Sequence, residues 1–214
     1  MSRVANLEPG SGSASVTRPG KRERLVNAAR ELVYLKGIAG TSLADIAQAA
    51  DVPVGNVYYY FKTKNDIVGA VVRVYEDQLQ SLVAELGRQH RSPEERLKAF
   101  VGVLAERAVA SADQYGAQYG CPYGTLSSEL AMRAEGPDPL AATLMRIQLE
   151  WTERQFHAMG RHDARDLAIE LMAAYQGSAV LTSTLGEAEL MTRQAQRLQR
   201  WIDELQGDRT DPRV

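Results

Sequence analysis

Apolar positions recur with a helical period almost from end to end of this chain. Leu25, Ala28, Ala29 and Leu32 fall at i, i+3, i+4 and i+7, and Gly37 stands where a helix C-cap is expected. Thr41 or Ser42 can cap a short helix carrying Leu43, Ile46, Ala47 and Ala50. Asp51-Val52-Pro53 ends it, because a proline pushes the preceding residue away from helical angles. A second short helix is expected from about Val54 to Phe61. Thr63 or Asn65 then opens a much longer one, with Ile67, Val71, Val74, Tyr75, Leu79, Leu82 and Leu86 on a single face. Beyond Ser92-Pro93, the stripe Leu97, Phe100, Val101, Leu104, Ala105 and Ala108 marks a helix, and Leu126 and Leu130 start another. Leu140, Leu144, Ile147, Trp151 and Phe156 follow the Gly136-Pro137-Asp138-Pro139 break, and two final helices are read at about 164–185 and 187–205. No segment sustains the alternation of a strand. The expected fold is all-α, with about nine helices. Residues 1–17 are rich in Gly, Ser and Ala without periodicity and read as a disordered tail; residues 18–64 form a head and 65–214 a body.

The head has the layout of a three-helix DNA-binding unit: one longer amphipathic helix, then two short helices separated by a tight break. Its third helix is poor in large aliphatic residues. Val54, Gly55 and Asn56 are small at its N-terminal end, which permits close approach to base edges in a major groove. The run Tyr58-Tyr59-Tyr60 cannot be buried whole on any regular period. On a 3.6-residue period Val57 and Phe61 turn inward with Tyr60 beside them, leaving Tyr58 and Tyr59 to offer hydroxyls to phosphate oxygens. Lys62 and Lys64 follow as candidate phosphate contacts, and Thr41 and Ser42 add hydroxyls and backbone donors at a helix start. Packing within the head remains the alternative for Tyr58.

Charge agrees with this division. Residues 1–70 carry nine Lys or Arg against six Asp or Glu, whereas residues 71–214 carry sixteen against twenty-one. A basic head on an acidic body suits a polyanion met by the head alone.

The segment T-S-x-x-D-I-A-x-A-A-x-V-x-x-G-x-x-Y-x-Y-F-x-x-K, from Thr41 to Lys64, resembles the head of the TetR/AcrR family of transcription regulators. The likeness runs back to the helix before Gly37 and forward to Ile67. It implies a one-component regulator, released from a two-fold double-stranded DNA operator by a small hydrophobic ligand, with a variable helical body that dimerises through its last two helices. By that resemblance Thr41, Tyr59 and Lys64 map onto phosphate-contacting positions, and Gly55, Asn56 and Tyr58 onto the recognition helix. Gly120 to Leu130 (GCPYGTLSSEL) is similar to a Gly-Cys-x-x-Gly-x-Leu-x-x-Glu segment of one branch of the family.

In the body, the helix from Ala164 is rich in small residues, among them Ala174, Gly177 and Ser178, which let another helix approach closely. The last helix places Met191, Leu198, Trp201 and Ile202 on an apolar face. Paired with their symmetry mates, these two helices would make a homodimer interface; core helices of a monomer are the alternative. Phe100, Tyr115, Tyr119, Cys121, Tyr123, Met132, Met145, Trp151, Met172 and Tyr175 are the candidate lining of a mostly apolar effector pocket, with ordinary packing as the alternative for each. Cys121, just before a helix start, is either structural or a reactive thiol through which the regulator would respond to oxidants or electrophiles.

Composition excludes more than it selects. A single cysteine allows no intrachain disulfide and fits a reducing cytoplasm. The N-terminus lacks an apolar signal region and no apolar run is long enough to span a bilayer, so a cytoplasmic protein without a membrane partner is expected. His90, His157 and His162 form no His-x-x-x-His pair, and no phosphate-cradling glycine loop is present. Neither a cofactor, a metal nor an enzymatic activity is expected.

Overall fold

The structure is a computed structural model and describes residues 19–115, 120–134 and 138–207. Among these residues the regular structure is helical, in nine helices. Helix α1 (Lys21–Lys36) buries Leu25, Val26, Ala28, Ala29 and Val33 and stops at Gly37, whose φ of 73° suits glycine. Ser42 caps α2 (Leu43–Ala49) in a reciprocal capping box with Asp45. Its hydroxyl donates to the Asp45 carboxylate at 2.6 Å, the first cause holding that carboxyl below its ordinary range. Asp51, at φ 52°, and Pro53 turn the chain into α3 (Val54–Tyr60). A second capping box, Thr63 with Asp66, opens α4 (Lys64–Gln89), 26 residues and so about 39 Å long.

The body continues with α5 (Pro93–Tyr115), α6 (Pro122–Arg133), α7 (Pro139–Ala158), α8 (Ala164–Leu185) and α9 (Glu189–Gly207). Helix α4 packs on α1 at its head end and on α7 in the body, α7 also packs on α5, α6 and α8, and α9 packs on α5 and α8. One buried apolar cluster runs without interruption from Leu25 in the head to Ile202 in α9. The head also touches the body through α1 and α6.

Packing corrects one expectation about the last helix. Met191, Leu198 and Ile202 are buried within the protomer and are not available to a partner. The apolar stripe of α9 packs on α5, and Lys98 of α5 pins it by donating to Asp203 at 2.5 Å, while Gln199 Nε2 donates to Lys98 O at 3.1 Å. Trp201 is half-buried, its ring edge-on to Phe156.

Candidate nucleic-acid interface and effector cleft

Helix α3 presents a polar and aromatic surface because its apolar content is confined to one side. Val57 and Phe61 are buried, Tyr60 is half-buried, and Tyr58 and Tyr59 are 51% and 77% exposed. Val54, Gly55 and Asn56 occupy the N-terminal end of the same surface, and the space beside Gly55 is open. Tyr59 meets Tyr60 edge-to-face with centroids 4.9 Å apart, which steadies the exposed ring. Lys62 donates to Tyr58 O at 2.9 Å, fixing an exposed cation at the helix end. Arg22, from the first turn of α1, lies with its guanidinium 5.4 Å from the Phe61 ring centre. It is an exposed cation beside the C-terminal end of α3, from a part of the sequence where no motif drew attention to it.

Two residues read as phosphate contacts do other work in the structure. Thr41 is 1% exposed and its hydroxyl donates to Gly37 O at 2.8 Å, so it braces the α1–α2 loop and offers nothing to a phosphate. Lys64 is half-buried; its ammonium donates to Ile38 O at 2.7 Å and to Thr41 O at 2.9 Å. Two of its three donors thus hold the same loop. Lys64→Met, which keeps the stem and removes the charge, is expected to lower stability by about 1.5–3 kcal/mol, the usual range for a bond to a charged group. In a chain of this size that is a fall in Tm of about 3–12 °C. An unchanged melting curve with a uniform loss of DNA affinity would return Lys64 to a phosphate-contacting role.

The residues read as effector-binding separate into groups. Phe100, Trp151, Met172 and Tyr175 are buried in the core, with the Phe100 and Trp151 rings 4.9 Å apart, and do not line the cleft described below. Tyr123 is also buried, its ring edge-on to Tyr75 and its hydroxyl accepting from Arg107 at 3.0 Å. Burial raises the phenol pKa values of Tyr75, Tyr123 and Tyr175, so all three stay neutral. Tyr119 lies outside the described residues, as does the side chain of Tyr115.

Cys121, Met132 and Met145, by contrast, share a cleft of ≈ 580 Å³ between α6, α7 and α8. Met132 is 80% exposed and stands at its rim. Gln176 reaches across it, with Nε2 3.8 Å from Cys121 Sγ and 3.7 Å from Met145 Sδ. A Cβ on Gly124 would overlap Gln176 Oε1, so glycine there is a condition for the amide's position. Ser127 also lines the cleft; it is buried and its hydroxyl lacks a hydrogen-bond partner among the described residues. Cys121 is the buried N-cap of α6. Neither Gln176 nor Ser127 was found from sequence, because a glutamine or serine in a helix carries no periodic or motif signal.

Helix α8 has a second apolar face. Ile169, Val180, Leu181 and Leu185 are 47–62% exposed along it, with Gly177 on the same side and Ala174 and Ser178 half-buried beside it.

Comparison with known proteins identifies this architecture. A family model described as bacterial regulatory proteins, tetR family, matches residues 25–71, from α1 into the first turns of α4. An uncharacterized HTH-type transcriptional regulator of Lactococcus lactis is 29% identical over 75% of this chain and 82% of its own length. The HTH-type transcriptional repressor DhaR of a Mycobacterium species is 26% identical over 73% and 79%. A TetR transcriptional regulator of Legionella pneumophila superposes with a TM-score of 0.74 over 87% of this chain and 97% of its own, at 18% identity, a likeness of fold alone. With the helix-turn-helix head, its exposed third helix and the helical body described above, the chain is a member of the tetR family, a DNA-binding transcriptional regulator.

Proposed function

We propose that this regulator is a cytoplasmic homodimeric repressor, and not an enzyme, released from a two-fold duplex operator by a small, mostly apolar molecule bound in the cleft against α6. Residues 18–64 form its DNA-binding head and 65–214 its effector-binding and dimerisation body. The observation that carries the reading is the position of the cleft. One wall is α6, which packs on head helix α1; another is α8, whose exposed apolar stripe adjoins the cleft and shares Val180 with its lining. The cleft volume suits a drug-sized ligand, and its sulfur, methyl and amide lining suits an apolar body with one or two polar groups. A relative named as a repressor supports repression here.

In this reading Val54, Gly55, Asn56 and Tyr58 face bases, and Tyr59, Lys62 and Arg22 face phosphates, whereas Ser42 gives both its hydroxyl and its backbone N–H to Asp45. The dimer forms through Ala174, Gly177, Ser178, Val180, Leu181 and Trp201. Selection of binding sites from a random duplex library tests the first part: a palindromic consensus is expected, and failure to enrich any sequence would sink it. Tyr59→Phe is then expected to weaken binding to the selected duplex and to random duplex alike, by about 0.5–1.5 kcal/mol. A changed base preference would instead make Tyr59 a reader of sequence. Thermal-shift screening of a metabolite panel tests the second part, because a ligand that weakens DNA binding must itself be weakened by DNA by the same factor.

A second reading rests on Cys121 lining the same cleft. A thiol-reactive effector would then act there, and Cys121→Ser would abolish the response to quinones while sparing DNA binding.

A further inference from the structure

We propose that Glu129 is the residue through which the cleft governs the head, its carboxylate acting as a releasable clamp on the α1–α2 loop. This rests on reading the cleft as the effector site. Glu129 Oε2 accepts from Ile38 N at 2.8 Å and Oε1 from Ala39 N at 3.1 Å, joining α6 to a loop about ninety residues earlier in the chain. From its other side the same loop is held by Lys64, whose ammonium takes the carbonyls of Ile38 and Thr41. An anion on the amide N–H groups and a cation on the carbonyls match the peptide dipoles of the segment from both directions. The close approach depends on Gly37: at φ 73° and ψ 168° it occupies a conformation that other residues rarely adopt, and a Cβ there would lie 3.2 Å from both Glu129 oxygens.

The loop leads directly into Ser42, the cap of α2, and α2 packs on α3. Helix α6 is tied to α1 at its other end too, where Tyr34 donates to Gly120 O at 2.8 Å. Another side of α6 faces the cleft, and Gly124, Thr125, Ser128 and Glu129 all line it. Glu129 therefore belongs to the cleft and to the head at once. Hydrogen bonds of 2.8 and 3.1 Å are lost on a displacement of about 1 Å. A ligand that shifts α6 by that much opens the clamp and frees the loop that orients α2 and α3.

A test needs no identified effector. Glu129→Gln keeps the shape but turns one acceptor into a donor facing an amide N–H. Hydrogen exchange at Ile38 and Ala39 is expected to quicken on the order of tenfold, while amides in the middle of α4 keep their protection. Gly124→Leu serves as a built-in wedge between α6 and Gln176, and Ser183→Phe replaces it from the α8 wall if it does not fold. Ala131→Leu, on α6 but outside the cleft, controls for bulk. The wedge and Glu129→Gln should each lower affinity for the duplex selected with the wild-type protein by at least about fivefold. The double variant should be no more than about twofold weaker than Glu129→Gln alone. Additive losses, or unchanged exchange at Ile38 and Ala39 in Glu129→Gln, would overturn the clamp. If the cycle is non-additive and exchange quickens, yet a metabolite screen yields no ligand, the clamp stands and the effector reading falls.

Discussion

Leu181→Glu is expected to leave a folded protomer that sediments as a monomer and binds the selected duplex at least about 100-fold more weakly. Leu181 is 55% exposed in the protomer, on the outward face of α8 with Ile169, Val180 and Leu185. A glutamate there meets water in the monomer, so its effect on protomer stability stays within about 0.5 kcal/mol. In a two-fold dimer each patch meets its own copy, and two carboxylates face a desolvated seam. That penalty is several kcal/mol per ion, enough to dissociate an ordinary dimer. Losing the second head removes the bivalent gain, which for linked sites is about 10²–10⁴ in affinity. Leu198→Glu should behave in the opposite way: at 5% exposure it sits inside the protomer and its charge destabilises the fold itself. Sedimentation velocity and circular dichroism on the two variants separate these outcomes. A wild-type dimer from Leu181→Glu would move the interface away from this face.

Phe100→Ala is expected to cost about 3–5 kcal/mol of stability, a drop in Tm of about 6–20 °C for a chain of this length. Phe100 is fully buried, its ring against Trp151, and it belongs to the closed core shared by α5 and α7. Truncation removes an aromatic from close packing, and rings held from several helices cannot collapse fully into the gap. Met145→Ala, at the cleft and only partly buried, should cost less and should alter effector affinity instead. Differential scanning calorimetry gives both numbers. A small stability loss in Phe100→Ala with loss of effector response would make Phe100 a pocket residue after all.

Helix positions and the break at Asp51-Val52-Pro53 were legible because each depends on residues within one or two turns; the caps were legible only as pairs, Thr41 or Ser42 and Thr63 or Asn65, of which the structure uses Ser42 and Thr63. The inward turn of Val57 and Phe61 and the exposure of Tyr58 and Tyr59 followed from angular spacing alone, and the family was legible in Thr41 to Lys64. What buries a given face was not legible. The stripe Met191, Leu198 and Ile202 announces a buried side of α9, but only packing assigns it to α5 and not to a second protomer. Helix α8 is apolar or small on both sides, so its period cannot say which side turns outward.

Hydrogen bonds between distant residues are equally silent in sequence. Lys64 has the composition and position of a phosphate contact, yet the fold brings the Ile38 and Thr41 carbonyls to its ammonium. Glu129 was visible only as the last position of a short motif, and its two amide donors stand about ninety residues away. Local sequence thus determined which segments are helical and which residues share a face, because those properties follow from bond geometry and side-chain size over a few residues. The tertiary structure decided which faces meet, which polar groups are already satisfied and which remain for a partner, because those depend on where chain segments far apart in sequence come to rest.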